Sequence, residues 1–466
     1  MIYKNSLIFT AILFILFPSG TFGQDTLTYL QYIQWVLKNH PVAAQSDISL
    51  ELGRQEMRIA RGGFDPLLYG NYDLKRFNDT QYYNKREAGI LLPTVAGVEF
   101  KGVFEQNSGE YLNPEYGTPN QGLLAAGASV NIGQGLLIDS RRASLRQAEI
   151  YLKVTEAERQ QMLNELYLNA TEAYWNWSAS FENRKVLEEG LTLAQTRFEA
   201  IKESFVLGDL PAIDTVEAYA QVLNIQFRLQ SAENSFFNST QYISNFLWGE
   251  NQEPITMFPK IVPQFIMDET IFVMDIESLR AMIPLHPELK LADYELASLQ
   301  VEKRWKAEQL KPVIKLNYNF LSTPTGQFEQ ATFFENNYKW GITFRSPLFL
   351  RKERGELGLT KARLDFGQND RELKYIQLQT QLENEINNFE TLENQFGVYS
   401  ANIEALDRML EGELTWFEIG ESSLFLINAR EVSVLDARLI INDLSAKRKI
   451  AFARMLYAAG LGFGGF

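Results

Sequence analysis

Residues 40–72 read HPVAAQSDISLELGRQEMRIARGGFDPLLYGNY, and residues 286–318 read HPELKLADYELASLQVEKRWKAEQLKPVIKLNY. His40, Asp47, Pro66, Asn71 and Tyr72 stand 246 positions before His286, Asp293, Pro312, Asn317 and Tyr318. A spacing that stays constant over this length, with no gap, marks an internal repeat. Each copy reads as His-Pro, a helix of about 20 residues, a proline that stops it, then a strand. The chain is therefore read in two halves.

Beyond each proline the period changes from helical to alternating. In the first half Leu68, Gly70, Tyr72 and Leu74 face one way, while Asn71, Asp73 and Lys75 face the other. A second strand runs from Leu124 to Ile132. Residues 78–122 between them are polar and read as a long loop. Within it Val98, Phe100 and Phe104 alternate with Glu99, Lys101 and Glu105, so the loop is expected to carry a strand of its own. In the second half Ile314, Leu316, Tyr318 and Phe320 alternate, and a turn at Ser322–Asn337 leads to Tyr338, Trp340, Ile342 and Phe344. Further on, Gly127, Leu145 and Ala148 match Gly341, Leu359 and Ala362 at a spacing of 214. The drop from 246 places about 32 extra residues in the 78–122 region.

The strands give way to helices. Leu163, Leu166, Ala170, Tyr174, Trp177 and Phe181, then Leu187, Leu191, Ala194, Phe198, Ile201 and Phe205, keep the 3-4 spacing of coiled-coil packing. A helix from about Asp139 to Leu207 would be about 100 Å long. It breaks at Leu207-Gly208-Asp209-Leu210-Pro211 and returns to about Trp248. The second half repeats this with Leu382, Ile386, Phe389, Phe396, Tyr399, Ile403, Leu406 and Leu410, a break at Glu418–Ser422, and a return to about Tyr457. Phe205 and Gly208 match Phe417 and Gly420, 212 positions apart. The expected segments are 1–23, a signal; 24–65, a short and a long helix; 66–133, a hairpin with an inserted loop; 134–250, a long helix and its return; 251–285, a linker; 286–311, a helix; 312–346, a second hairpin; and 347–466, a long helix, its return and a tail.

Lys4, the apolar run Leu7–Phe17 and the small residues Ser19–Gly23 have the form of a secretory signal, with cleavage expected near Gly23. The run is too short to span a bilayer. There is no cysteine, which removes disulfides, thiolate metal sites and lipoprotein acylation. Net charge is −14, or −15 without the first 23 residues, and this argues against nucleic acid as a partner. If much of that charge lined a lumen, the pore would lean toward cations.

Four strands of about 10 residues, polar on one face and apolar on the other, have the pattern of an outer-membrane barrel. Tyr72, Tyr318, Tyr338 and Trp340 would then sit in its interfacial girdles. An ordinary sheet packed on a protein core fits the same alternation. Four strands cannot close a barrel, because the smallest have about 8, and lipid does not tolerate open edges. A barrel here would have to be shared between chains.

In this order of parts, with the Arg61–Asp65 segment before the first strand and Phe205-x-x-Gly208 and Phe417-x-x-Gly420 at the helix breaks, the sequence resembles the outer-membrane factor family. These are the TolC-like channels of tripartite efflux pumps and type I secretion. The resemblance covers residues 24–466. It implies an α+β membrane protein, a homotrimer in which a long antiparallel α-helical coiled-coil barrel joins a 12-stranded β-barrel, four strands per chain. It implies an outer-membrane location in a Gram-negative cell with a long periplasmic extension. An equatorial region from the chain start and the mid-chain linker would girdle the tunnel, outer-membrane lipid would surround the barrel, and a periplasmic adaptor and an inner-membrane pump would engage the helix tips. The tips here are Gly208, Asp209, Gly420 and Ser422. Family members often carry acids six and nine residues after the second tip glycine, but this chain has Leu426 and Ala429 there. Asp214 and Glu217 occupy the matching places in the first half, three apart and so on one helix face, and are the candidates for aperture charge; an ordinary solvated helix face is the alternative.

No catalytic constellation is legible. Both histidines precede proline at repeat-equivalent positions, which favours a role at a helix start. Glu383 and Glu385 lie on a long helix without a pocket, and Gly460-x-Gly462-x-Gly464-Gly465 lacks the lysine and helix of a phosphate loop. No enzyme activity and no cofactor or metal is expected. The competing reading is a periplasmic coiled-coil structural or adaptor protein without a pore, which leaves the amphipathic strands unexplained.

Overall fold

The computed structural model describes residues 25–257, 260–267, 275–324 and 337–462. The expected signal segment, most of the 322–337 turn, part of the linker, and Gly464 and Gly465 lie outside the described residues.

Long helical hairpins make the body. In the first half α1 (Tyr29–Asn39) and α2 (Pro41–Gly62) precede α3 (Ser140–Leu207), which returns as α4 (Ala212–Ser244). In the second half α5 (Ile276–Met282) and α6 (Pro287–Glu308) precede α7 (Arg351–Glu418), which returns as α8 (Leu424–Ala458). α2 and α6 have 22 residues each, and α3 and α7 have 68 each. His40 and His286 start α2 and α6: each Nδ1 accepts a hydrogen bond at 3.2 Å, from the N–H of Val42 and of Glu288. The proline that follows needs no partner for its missing donor. Of the 3-4 residues of α3, Leu163, Leu166, Ala170, Tyr174, Trp177, Leu187, Ala194 and Ile201 are buried, Phe181, Leu191 and Phe198 are partly buried, and Phe205 at the tip is exposed.

Partway along the helices α1 and the mid-chain segment lie against α3 and α8. The short strands β1 (Asp25–Leu27) and β6 (Ile261–Pro263) pair in parallel. Tyr32, Val36, Tyr174, Trp177, Ile243 and Ile266 form the core there. The Tyr174 hydroxyl donates to the Leu27 carbonyl at 2.7 Å, and the Lys449 ammonium donates to the Ile266 carbonyl at 2.6 Å while lying over the Trp175 ring.

The remaining strands form one antiparallel sheet: β2 (Leu67–Phe77), β3 (Thr80–Pro93), β4 (Val98–Ser108), β5 (Leu123–Asn131), β7 (Val313–Ser322) and β8 (Tyr338–Arg345), in that spatial order. This corrects the reading of residues 78–122 as a loop with one strand, and of four strands per chain: the sheet has six. Phe77 pairs with Thr80 across a two-residue turn in which Asn78 and Asp79 have φ of 51° and 57°. Positive φ at both central positions is the favoured turn of a tight hairpin. The first half of β3 places Asn84 and Arg86 on the face that elsewhere is apolar, so its alternation is confined to Ala88, Ile90 and Leu92. The sheet is open, with β2 and β8 at its two edges.

Candidate functional site

Side chains alternate across a strand, so the register sorts the sheet into two faces. One face carries Leu68, Tyr72, Ile90, Phe100, Ala128, Leu316, Tyr318, Trp340, Ile342 and Phe344. The other carries Asp73, Lys85, Glu87, Glu99, Lys101, Glu105, Lys315, Asn317, Lys339 and Arg345. The apolar face is bare: Leu68 is 80% exposed and Phe344 69%. The polar face is knitted across strands. Glu99 pairs with Lys315 at 3.1 Å and with Arg141, at the start of α3, at 2.7 Å. Glu87 accepts from the Tyr69 hydroxyl at 2.9 Å and faces Lys101 at 3.8 Å. Five of the ten polar-face residues just named are Lys or Arg and four are acids, so the overall acidity of the chain does not extend to this face.

The four aromatics singled out from the sequence all lie on the apolar face. Tyr318 is opposite Trp340, and its ring stacks on Tyr338 at 6.0 Å. Tyr318 and Trp340 belong to a cross-strand row with Ala128, Phe100 and Leu92, Tyr338 to the next row with Phe320 and Ala126, and Tyr72 to another with Arg86 and Gln106. The guanidinium of Arg86 lies over the Tyr72 ring, 5.8 Å from its centre.

The other end of the helices carries the tips. α3 ends on Gly208 at φ 87° and α7 runs into Gly420 at φ 81°. Gly208 N–H donates to the Phe205 carbonyl and Asp209 N–H to the Ser204 carbonyl, each at 3.0 Å. Gly420 N–H donates to Phe417 at 3.0 Å and Glu421 N–H to Trp416 at 2.9 Å. These are matching left-handed caps, which an L side chain strains and glycine does not. Ile201, Ala218 and Leu424 are buried together beneath them.

Asp214 sits in the first turn of α4, half-buried, where the helix N-terminus favours a negative charge. Glu217 does not share an open face with it. Its Oε1 accepts from the Asn428 amide of α8 at 3.1 Å, tying the two hairpins together. Asp209 is exposed in the tip turn, and Leu426 is exposed on α8. Sequence reasoning missed Glu413, only 8% exposed. Its carboxylate accepts from the Ser422 hydroxyl and lies 3.5 Å from the Arg430 Nε. The signal was present, because Glu413 continues the seam of Ile403, Leu406 and Leu410 at the next 3-4 position. Arg197 and Arg228 make further bonds to Glu431 and Asp436 of α8.

Among the described residues no group of three His, Asp or Glu could hold a metal ion. Nor is any described helix long and apolar enough to cross a membrane. Glu383, partly exposed on α7, is gripped by the Arg280 guanidinium at 2.7 and 2.8 Å, which holds its carboxyl below the usual range.

No protein-family model and no curated protein matches the chain. Solved structures do. The Campylobacter jejuni CmeC outer membrane channel matches with a TM-score of 0.64 at 14% identity, over 94% of this chain and 87% of that one. The outer membrane protein VceC of Vibrio cholerae matches with 0.64 at 13% identity, over 93% and 96%. The open-state Neisseria gonorrhoeae MtrE outer membrane channel matches with 0.65 at 15% identity, over 93% and 88%. The chain thus has the fold of the TolC-like outer-membrane channels.

Proposed function

We propose that this chain is an outer-membrane efflux or secretion channel. It works as a homotrimer, taking substrates from a periplasmic adaptor and inner-membrane pump and carrying them across the periplasm and the outer membrane. The observation that carries this reading is the sheet: one bare apolar face, one charged face, two unpaired edges, set at the end of 68-residue helices. An antiparallel sheet in a soluble protein turns its apolar face to a core, and among the described residues no helix packs along it. Lipid would cover the apolar face, and neighbouring copies the edges. The bare stripe Ile213, Val216, Leu223 and Phe227 on α4 supports the same assembly, since a neighbouring helix would bury it. Tyr318, Tyr338 and Trp340 are then interfacial anchors, and the Gly208 and Gly420 tips, with Asp209, Asp214 and Ser422, form the adaptor-facing aperture.

Electron microscopy of the detergent-purified protein tests this. A tapered, threefold particle more than about 100 Å long, by the helix rise, that conducts ions in a planar bilayer is the expected result. A rod that stays soluble without detergent overturns it in favour of the pore-less coiled-coil reading.

A further inference from the structure

We infer that the membrane wall is built from six strands of each chain, so that the trimer proposed above closes on eighteen strands. The hairpin of β3 and β4 would be part of the lipid-facing wall, and β2 of one copy would meet β8 of the next. This rests on the channel reading and goes beyond it.

The inserted residues of the first half occupy one strand down and one strand up. β2 pairs with β3 from Leu67–Leu91 to Phe77–Thr80, β3 with β4 from Pro93–Glu99 to Asn84–Ser108, and β4 with β5 from Val98–Val130 to Glu105–Leu123. A decoration standing above a four-stranded wall would leave β2 paired with β5; here they are two strands apart. β3 and β4 have 14 and 11 residues, enough for tilted strands that cross a bilayer at about 9–11 residues. Their apolar positions Ala88, Ile90, Leu92, Phe100 and Phe104 continue the bare face of the other strands.

The hairpin also reaches the base of the sheet. Its turn brings Gly97, at φ 83°, against the Arg142 guanidinium, 3.1 Å from where a Cβ would stand. Arg142 itself holds the Leu136 carbonyl at 3.0 Å and the Gly135 carbonyl. One residue into β4, Glu99 is ion-paired to α3 and to β7. An even strand number leaves β2 and β8 running in opposite directions, so copies join by the same antiparallel pairing found inside the sheet. With strands about 4.8 Å apart and tilted about 40°, eighteen enclose a cylinder about 36 Å across, against about 24 Å for twelve.

The test uses the full chain, which has no cysteine of its own. The second half pairs Ile314 with Phe344 near the base, and the repeat spacings carry that pair to Leu68 and Val130. In a twelve-stranded wall Leu68→Cys would therefore link to Val130→Cys; in the eighteen-stranded wall it links to Ile90→Cys. Electron cryo-microscopy of the trimer in nanodiscs counts the strands directly. Eighteen strands with the Leu68–Ile90 link is the expected result. Twelve strands with the Leu68–Val130 link overturns the inference and leaves the channel standing. A particle without threefold symmetry, or one that needs no lipid, overturns the channel reading and this inference with it.

Discussion

Arg371 of α7 donates to Asp293 of α6 at 2.8 Å, and in the first half Arg159 of α3 donates to Asp47 of α2 at 3.0 Å. The two acids are 246 positions apart and the two arginines 212, the spacings read from the sequence. Both pairs are partly exposed, and such pairs contribute about 0.2–1 kcal/mol. Asp293→Ala is therefore expected to lower stability by less than about 1 kcal/mol. Adding Arg371→Ala should cost little more, since the interaction is already gone. A double-mutant cycle by thermal unfolding measures this, and full additivity would show that the pair carries no coupling.

His286 should make stability fall with acidity. Burial lowers its pKa from the usual 6.5, outweighing the opposing effects of Glu288 and of a hydrogen bond to the Tyr457 backbone, while Lys374 acts in the same direction as burial. The unfolded chain thus binds the proton more readily, so stability is full above about pH 6.5 and drains as pH falls from there toward the lowered value. Protonation would also remove the lone pair with which Nδ1 caps α6. His286→Asn keeps a capping side chain and no titration. Melting points between pH 7.5 and 5 should slope for the parent and be flatter for the variant.

The tip glycines are expected to tolerate bulk but not conformation. No atom lies within 4 Å of a Cβ built at Gly420, yet its φ of 81° strains any L residue. Gly420→Ala should cost about 1–2 kcal/mol locally, and Gly420→Asn distinctly less. Hydrogen exchange at the end of α7 reads the fraying, and equal protection in both variants would count against the cap.

For the aperture, Asp214→Asn is expected to reduce the cation preference of single channels more than Glu217→Gln, because Glu217 is already engaged by Asn428. Unchanged conductance and selectivity in the double variant would remove both residues from the gate.

Ser422→Ala leaves a carboxylate oxygen of the buried Glu413 without its hydroxyl donor. Such a group costs about 1–3 kcal/mol. The expected sign is earlier opening of the α7–α8 tip on heating, seen as protease cleavage there. Cleavage no faster than in the parent would show that Arg430 suffices.

The long helices were legible because their seams bury or half-bury one residue every three or four, as Leu163 to Ile201 do. The caps were legible because only glycine takes their backbone cheaply. β3 was not, since a strand is read from alternation and Asn84 and Arg86 interrupt it, while the Asn78-Asp79 turn that announces it is a two-residue cue in a polar stretch. Glu413 was missed because a charge on a helix is ordinarily solvated, and its partners Ser422 and Arg430 come together only after the chain reverses.

At the base of the sheet β2, β5, β7 and β8 each continue into a long helix, whereas β3 and β4 turn back over Arg142. Three strands therefore stand over every two helices. In the proposed eighteen-stranded trimer, circumference added above without any added below would give a goblet, a wide bowl on a stem of unchanged gauge. The stem and its tips, not the bowl, would then set the size of what passes, and the extra hairpin would instead enlarge the rim that the cell shows to its surroundings.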